Sequence, residues 1–269
     1  MVPCRKEASP WVEHNGEFWR SITYIGAATT SDVIRDCSHA HEVGYGLGMF
    51  HSLISDLPTQ QLADTLENFH VMPAYLQRFD QVRKSSSIQD QRTDAACAFI
   101  HSRRNGVDVL EAALSRGELK HRPIHGDPKI NNVMIDEVSG QAVGLIDLDT
   151  VKPGLIHYDI GDCLRSCCNP AGEETLSLEN VCFDIDLCQA ILSGYLSVAE
   201  GFLSDWDLHY LPDCIRLIPL ELGLRFLTDH LDGNVYFHCD REDHNLHRAA
   251  VQFRLCLLYT SPSPRDSDS

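Results

Sequence analysis

Apolar positions in the first part of the chain follow two different periods. In GEFWRSITYI, residues 16–25, Phe18, Ile22 and Tyr24 fall on alternate positions, which predicts one strand. The cluster Thr29-Thr30-Ser31-Asp32 then offers N-cap side chains for a helix running toward Leu57. GYGLG, residues 44–48, lies inside that helix. A phosphate-binding loop follows a strand and opens a helix, and this segment does neither, so close helix packing is the expected use of its glycines. Further helical patterns cover 72–84, 91–104 and 107–116, with Pro58, Pro73 and the serines 85–87 marking breaks.

From residue 122 the period shortens. RPIHGD, NVMID and QAVGLID read as short strands, and EVSGQ with Gly140 turns between the last two. After Pro153-Gly154 the helical pattern returns, from about Asp159 through 180–204 to 212–231. No internal repeat is visible. The last stretch, LYTSPSPRDSDS, has no apolar period and is expected to be disordered. It also looks like read-through from a cloning adaptor and is left out of the fold expectation.

Composition narrows the possible functions. The chain has 269 residues, 43% of them apolar, enough for one large domain or two modest ones. Lys+Arg of 22 against Asp+Glu of 39 gives a net charge of −17, with no basic run, which argues against nucleic acid and anionic membrane as partners. No segment approaches the roughly 18 apolar residues of a membrane span, the start does not read as a signal peptide, and a cytoplasmic location is expected. The eleven cysteines sit singly apart from Cys167-Cys168, without any C-x-x-C. That spacing argues against a zinc site, and the odd count fits reduced, buried thiols. The fourteen histidines are equally scattered.

The chemistry concentrates in HGDPKINNVMID, residues 125–136, and in the LIDLD that follows. Asp127 stands five positions before Asn132, and a strand hairpin would return Asp147 to the same pocket. Phosphoryl transfer from ATP needs a base for the attacking hydroxyl and oxygen ligands for magnesium on the phosphates. Carboxylate, amide and carboxylate supply that set. Taken singly, each residue has a plainer reading: HGDxxxxN could be an Asx turn, and Asp147 and Asp149 could simply end a strand. Their order, with strands between them, favours the site.

These motifs resemble the aminoglycoside phosphotransferase and choline kinase group, whose protein kinase-like fold implies an α+β chain with a mostly helical C-terminal lobe and a remnant of a β-rich N-terminal lobe. KINNVMID, LIDLDTVKPGL, YDIGDCLR and ELGLRFLTDHLDGNVYF are similar to the N-acetylhexosamine 1-kinases, and with WRSITYI and ADTLENFH the resemblance reaches about residue 255. It implies an ATP-dependent, magnesium-requiring kinase that phosphorylates the anomeric hydroxyl of an N-acetylhexosamine. It implies Asp127 as catalytic base and Lys129 as a contact of the transferring phosphate. Asn132 and Asp147 would hold the metal, and Tyr24 and Ile25 would form a nucleotide-binding hinge. Asp149 would assist the metal or pair with a nearby amide. Asp159 would brace the loop from below, and His125 would anchor it. Arg225 and Tyr236 would meet the sugar, although Arg225 could instead pair with Asp229 at i+4, and Tyr236, in strand-like NVYFH, could be a core tyrosine.

The chain departs from the kinase pattern at its start. The glycine-rich loop, strand lysine and helix glutamate of a kinase small lobe are not found ahead of the catalytic loop. Residues 1–27 are therefore expected to be a remnant of the N-terminal nucleotide lobe with its hinge, 28–255 a mostly helical catalytic and substrate lobe, and 256–269 a tail. Met1 reads as an internal start, so this chain's own activity is open. A related kinase with an aminoglycoside, choline or other sugar acceptor, and a non-catalytic fragment, remain as alternatives.

Overall fold

The computed structural model describes residues 9–64 and 66–260. The chain opens with a hairpin, β1 (Val12–His14) against β2 (Glu17–Trp19), followed by β3 (Ala28–Thr29). Asn15 and Gly16 between β1 and β2 both have positive φ, as a two-residue turn matched to strand twist requires. The predicted strand over 16–25 is thus realised only at Glu17–Trp19. The rest is an irregular segment, and Phe18 in β2 is exposed along with Ile22 and Tyr24 after it.

Helix α1 (Cys37–Ile54) starts later than the Thr29–Asp32 cluster suggested, because Asp36 caps it, accepting from His39 N at 2.8 Å. Then come α2 (Met72–Ser85), α3 (Gln91–His101) and α4 (Val109–Ser115), close to the predicted spans. Strand β4 (Arg122–Ile124) leads into the HGD loop, β5 (Val133–Asp136) and β6 (Ala142–Leu145) form the expected hairpin, and β7 (Lys152–Gly154) pairs antiparallel with β4. Helices α5 (Ile156–Cys167), α6 (Ile185–Ala199), α7 (Asp205–His209), α8 (Leu211–Leu231) and α9 (His244–Thr260) complete the fold.

Pro153 and Gly154 lie within β7 rather than in a break. Residues 256–260, assigned to the tail by sequence, continue α9, with Cys256 buried in the core; the remainder of the tail lies outside the described residues.

One apolar core runs through the helical body. It includes Leu47, Phe79, Ile100, Leu110, Ile124, Ile160, Ile191, Leu224 and Phe226, all essentially inaccessible. The glycines of GYGLG serve the close packing expected of them. A Cβ on Gly44 would stand 1.9 Å from Ile191 O, and one on Gly194 of α6 would stand 1.9 Å from His41 O. Backbone therefore lies directly on backbone where α1 crosses α6. This contact and the α5–α8 packing form the platform on which β4–β7 present their loops. Among the described residues, no helix is long and apolar enough to cross a membrane.

Candidate active site

The candidate catalytic loop leaves β4 at His125 and is held from three sides. Asp159, fully buried on α5, accepts His125 N at 2.6 Å and Gly126 N at 2.9 Å on its two oxygens. His51 of α1 adds a third contact, its Nε2 lying 2.9 Å from Asp159 Oδ2 while its Nδ1 meets Tyr195 OH. Burial pushes the Asp159 carboxyl up, but His51, His125 and the loop amides outweigh it and hold it below the usual carboxylate range. Gly126 has φ +88, and a Cβ there would stand 2.7 Å from Thr150 O, so the turn into Asp127 requires glycine on two counts. The fully buried His125 ring donates Nε2–H to Ile146 O at 2.9 Å and accepts Asp127 N at Nδ1, 3.3 Å away. Both of its ring nitrogens are engaged with backbone.

Asp127, Lys129 and Asn132 come together at the loop tip. Lys129 Nζ lies 2.7 Å from Asp127 Oδ2. Burial lowers the Lys129 pKa, but Asp127, followed by Asp162 and Asp147, outweighs it and leaves the ammonium with a raised pKa. Asn132 Nδ2 donates to Asp127 O at 2.8 Å, which turns its Oδ1 away from the loop backbone. Ile146 N donates to Asn132 O at 2.9 Å, continuing the β5–β6 ladder and bringing Asp147 beside Asn132. Asp147 is exposed and sits at φ +62, a left-handed conformation that non-glycine residues adopt at a cost. Its carboxylate makes no hydrogen bond or ion pair to other described residues. Asn132 Oδ1 and the Asp147 carboxylate are oxygen donors of the kind a hard divalent cation such as magnesium takes. Asp149 points elsewhere, forming an exposed ion pair with Arg20. Tyr24 and Ile25 lie in the irregular segment before β3, with Tyr24 almost fully exposed.

Arg225 and Tyr236 line a second part of the site, a cavity of about 410 Å³ shared with Phe69, Tyr75, Arg78 and Phe237. The Arg225 guanidinium lies 5.0, 5.1 and 5.5 Å from the ring centres of Phe69, Tyr75 and Phe237. It is mostly buried, and its nearest carboxylate is Glu221 Oε1 at 3.6 Å, too long for a hydrogen bond. The i+4 pairing with Asp229 does not form. Asp229 instead accepts the amides of Val235, Tyr236 and Phe237 at 2.8–3.0 Å, and Asn245 Nδ2 at 2.8 Å. Those bonds consume the N–H groups a strand would need, so NVYFH is a loop and Tyr236 an exposed rim residue rather than a core tyrosine.

Sequence reading missed three residues around this site. His70 and Glu221 are buried, and His70 lies within hydrogen-bond distance of both the loop and Glu221. Arg165, also buried, pairs with Asp162 and Glu173. Only the YDIGDCLR spacing, Asp162 to Arg165 at i+3, could have signalled the last pair.

The same architecture occurs in solved structures. An aminoglycoside phosphotransferase from Alicyclobacillus acidocaldarius aligns at TM-score 0.58 and 16% identity, covering 94% of this chain and 73% of that one. A microcompartment-associated aminopropanol kinase aligns at 0.58 and 16%, covering 94% and 72%. An ethanolamine kinase from Plasmodium vivax aligns at 0.52 and 14%, covering 83% and 63%. The fold is thus α+β and kinase-like, mostly helical with small sheets. The sequence itself matches the phosphotransferase enzyme family over residues 11–178, more than half of its length and the part that carries the braced catalytic loop, and the chain belongs to that family.

Proposed function

We propose that this phosphotransferase moves the γ-phosphate of ATP to the anomeric hydroxyl of an N-acetylhexosamine. The observation that carries the acceptor reading is Arg225: a mostly buried guanidinium with no hydrogen bond to other described residues, facing a cavity rimmed by Tyr236. Such a group needs acceptor oxygens, and sugar hydroxyls or an acetamido carbonyl provide them. The aromatic cage around Arg225 already encloses a cation, which disfavours a quaternary ammonium in the same place.

In this reading the Asp127 carboxylate accepts the proton of the attacking hydroxyl. The new O–P bond forms as the bond between the γ-phosphorus and its bridging oxygen breaks, and ADP leaves. Lys129 pairs with Asp127 and stands beside the transferring phosphate. Asn132 and Asp147 would hold magnesium, which supplies charge neutralisation on the phosphates when bound. Asp159 keeps the loop in place without touching substrate.

A second reading, an acceptor bearing amino groups, is favoured by Glu67, an exposed carboxylate in the same cavity wall. The test is phosphate transfer from ATP-magnesium to a panel of N-acetylglucosamine, N-acetylgalactosamine, glucose, an aminoglycoside and ethanolamine. Sugar 1-phosphate should form, and Asp127→Asn should lower kcat by roughly two to four orders of magnitude. Turnover of only the aminated acceptors would replace the sugar reading with the second one.

A further inference from the structure

His70 lies between the catalytic loop and the acceptor cavity. Its Nε2 is 3.2 Å from Gly126 O, the carbonyl one residue before Asp127, and its Nδ1 is 3.1 Å from Glu221 Oε2 on α8. Its ring centre also lies 4.0 Å from that of Phe69, the two rings tilted at 50°, and Phe69 lines the cavity. The residue is buried and sits at φ +65, a conformation that non-glycine residues hold only where surroundings enforce it.

A carbonyl oxygen only accepts, and so does an ionised carboxylate. With acceptors on both sides, both ring nitrogens must carry hydrogen, and the ring is an imidazolium. Arg225 Nη1 lies 3.6 Å from Glu221 Oε1, so a second cation faces the same carboxylate. The other groups facing His70 are Asp162 and Tyr158 from α5 and Tyr75 from α2.

We propose that His70 is a positioning residue for phosphoryl transfer: as an imidazolium it ties the Gly126 carbonyl to Glu221, so the base and the helix bearing Arg225 are held in one register. The role rests on reading Asp127 as the base and Arg225 as an acceptor ligand. It gives that reaction an alkaline limit. Burial and the nearby Arg225 disfavour the ring's charge, but Glu221, with Asp162, outweighs them and raises the His70 pKa above its ordinary 6.5. The tie therefore holds below that raised value and is lost as pH rises through it.

The test is nitrogen-15 NMR of the whole chain across pH, with His70 assigned by its loss in His70→Gln. Both ring nitrogens should be protonated at neutral pH, and their titration should move the Gly126 and Asp127 amide resonances. Glu221→Gln should lower the midpoint by about one to three pH units. The alkaline limb of kcat should move down by the same amount while the KM for ATP stays close to wild type. A ring neutral at neutral pH, loop resonances indifferent to its titration, or an unmoved kcat limb would each overturn the proposal. If no acceptor is phosphorylated, the reading of the site fails and the catalytic role with it. The resonances still decide whether the tie exists, and the wild-type titration does so even where Glu221→Gln does not fold.

Discussion

At the scale of single residues, the loop's geometry is concentrated in one carboxylate. Asp159 takes two backbone amides and the His51 ring in a site closed to water, where each bond to an ionised group is worth about 1.5–3 kcal/mol. Asp159→Asn keeps the shape but loses the charge and one acceptor, so stability should fall by at least about one such bond. The acid dependence has a definite sign. The folded carboxyl lies below its ordinary 3.8, so its contribution is present above that value and is lost as pH falls through the lower, folded one. Urea midpoints measured from mildly acidic pH down through 3.8 and below should therefore fall more steeply in the wild type than in Asp159→Asn; equal slopes there would show that Asp159 is not ionised in the fold. Asp127, Asn132 and Asp147 could be proposed together from sequence because one loop and the hairpin after it carry all three. His51 and His70 could not. Their partners lie 108 and 56 or more positions away, and nothing local distinguishes either histidine from the other twelve.

At the scale of elements, the helices with strong apolar periods were read within a few residues, and the failures have identifiable causes. The alternation at 16–25 was real, but Asn15-Gly16 is a stronger signal, and it makes Glu17 the start of a returning strand. NVYFH has β-forming side chains, yet Asp229 removes its amides from any ladder. GYGLG was legible by exclusion, and it carries a prediction about packing. Gly44→Ala and Gly194→Ala each drive a methyl into a backbone carbonyl on the facing helix, which no rotamer change relieves. Each should cost at least about 1–3 kcal/mol, the usual scale of overpacking. Both act on the α1–α6 crossing, so the double variant should lose less than the sum, because the first methyl already separates the helices. Thermal melts of the two single variants and the double would test this; additive losses would mean the two glycines report on separate contacts.

At the scale of the whole molecule, the helical body is closed and the N-terminal hairpin is not. Trp11 packs edge-on against Phe18 with ring centres 5.0 Å apart, yet Val12, Phe18, Trp19, Ile22 and Tyr24 remain exposed. The tie to the body that the structure offers here is the ion pair of Arg20 with Asp149, and exposed pairs contribute little. A two-stranded hairpin is marginal alone, and an open apolar edge invites pairing. The net charge of −17 opposes association only at long range and is screened by salt. The chain's three tryptophans report on this directly, because Trp11, Trp19 and Trp206 are 48%, 59% and 47% exposed. Dilute protein should emit like solvated indole, and unfolding in urea should shift the maximum little even though helical circular dichroism collapses. Raising concentration in moderate salt should move the emission to the blue as copies cover Trp11 and Trp19, and Phe18→Lys should weaken that change. Emission that is already blue in dilute solution would mean the aromatic hairpin is covered, and the open edge with it.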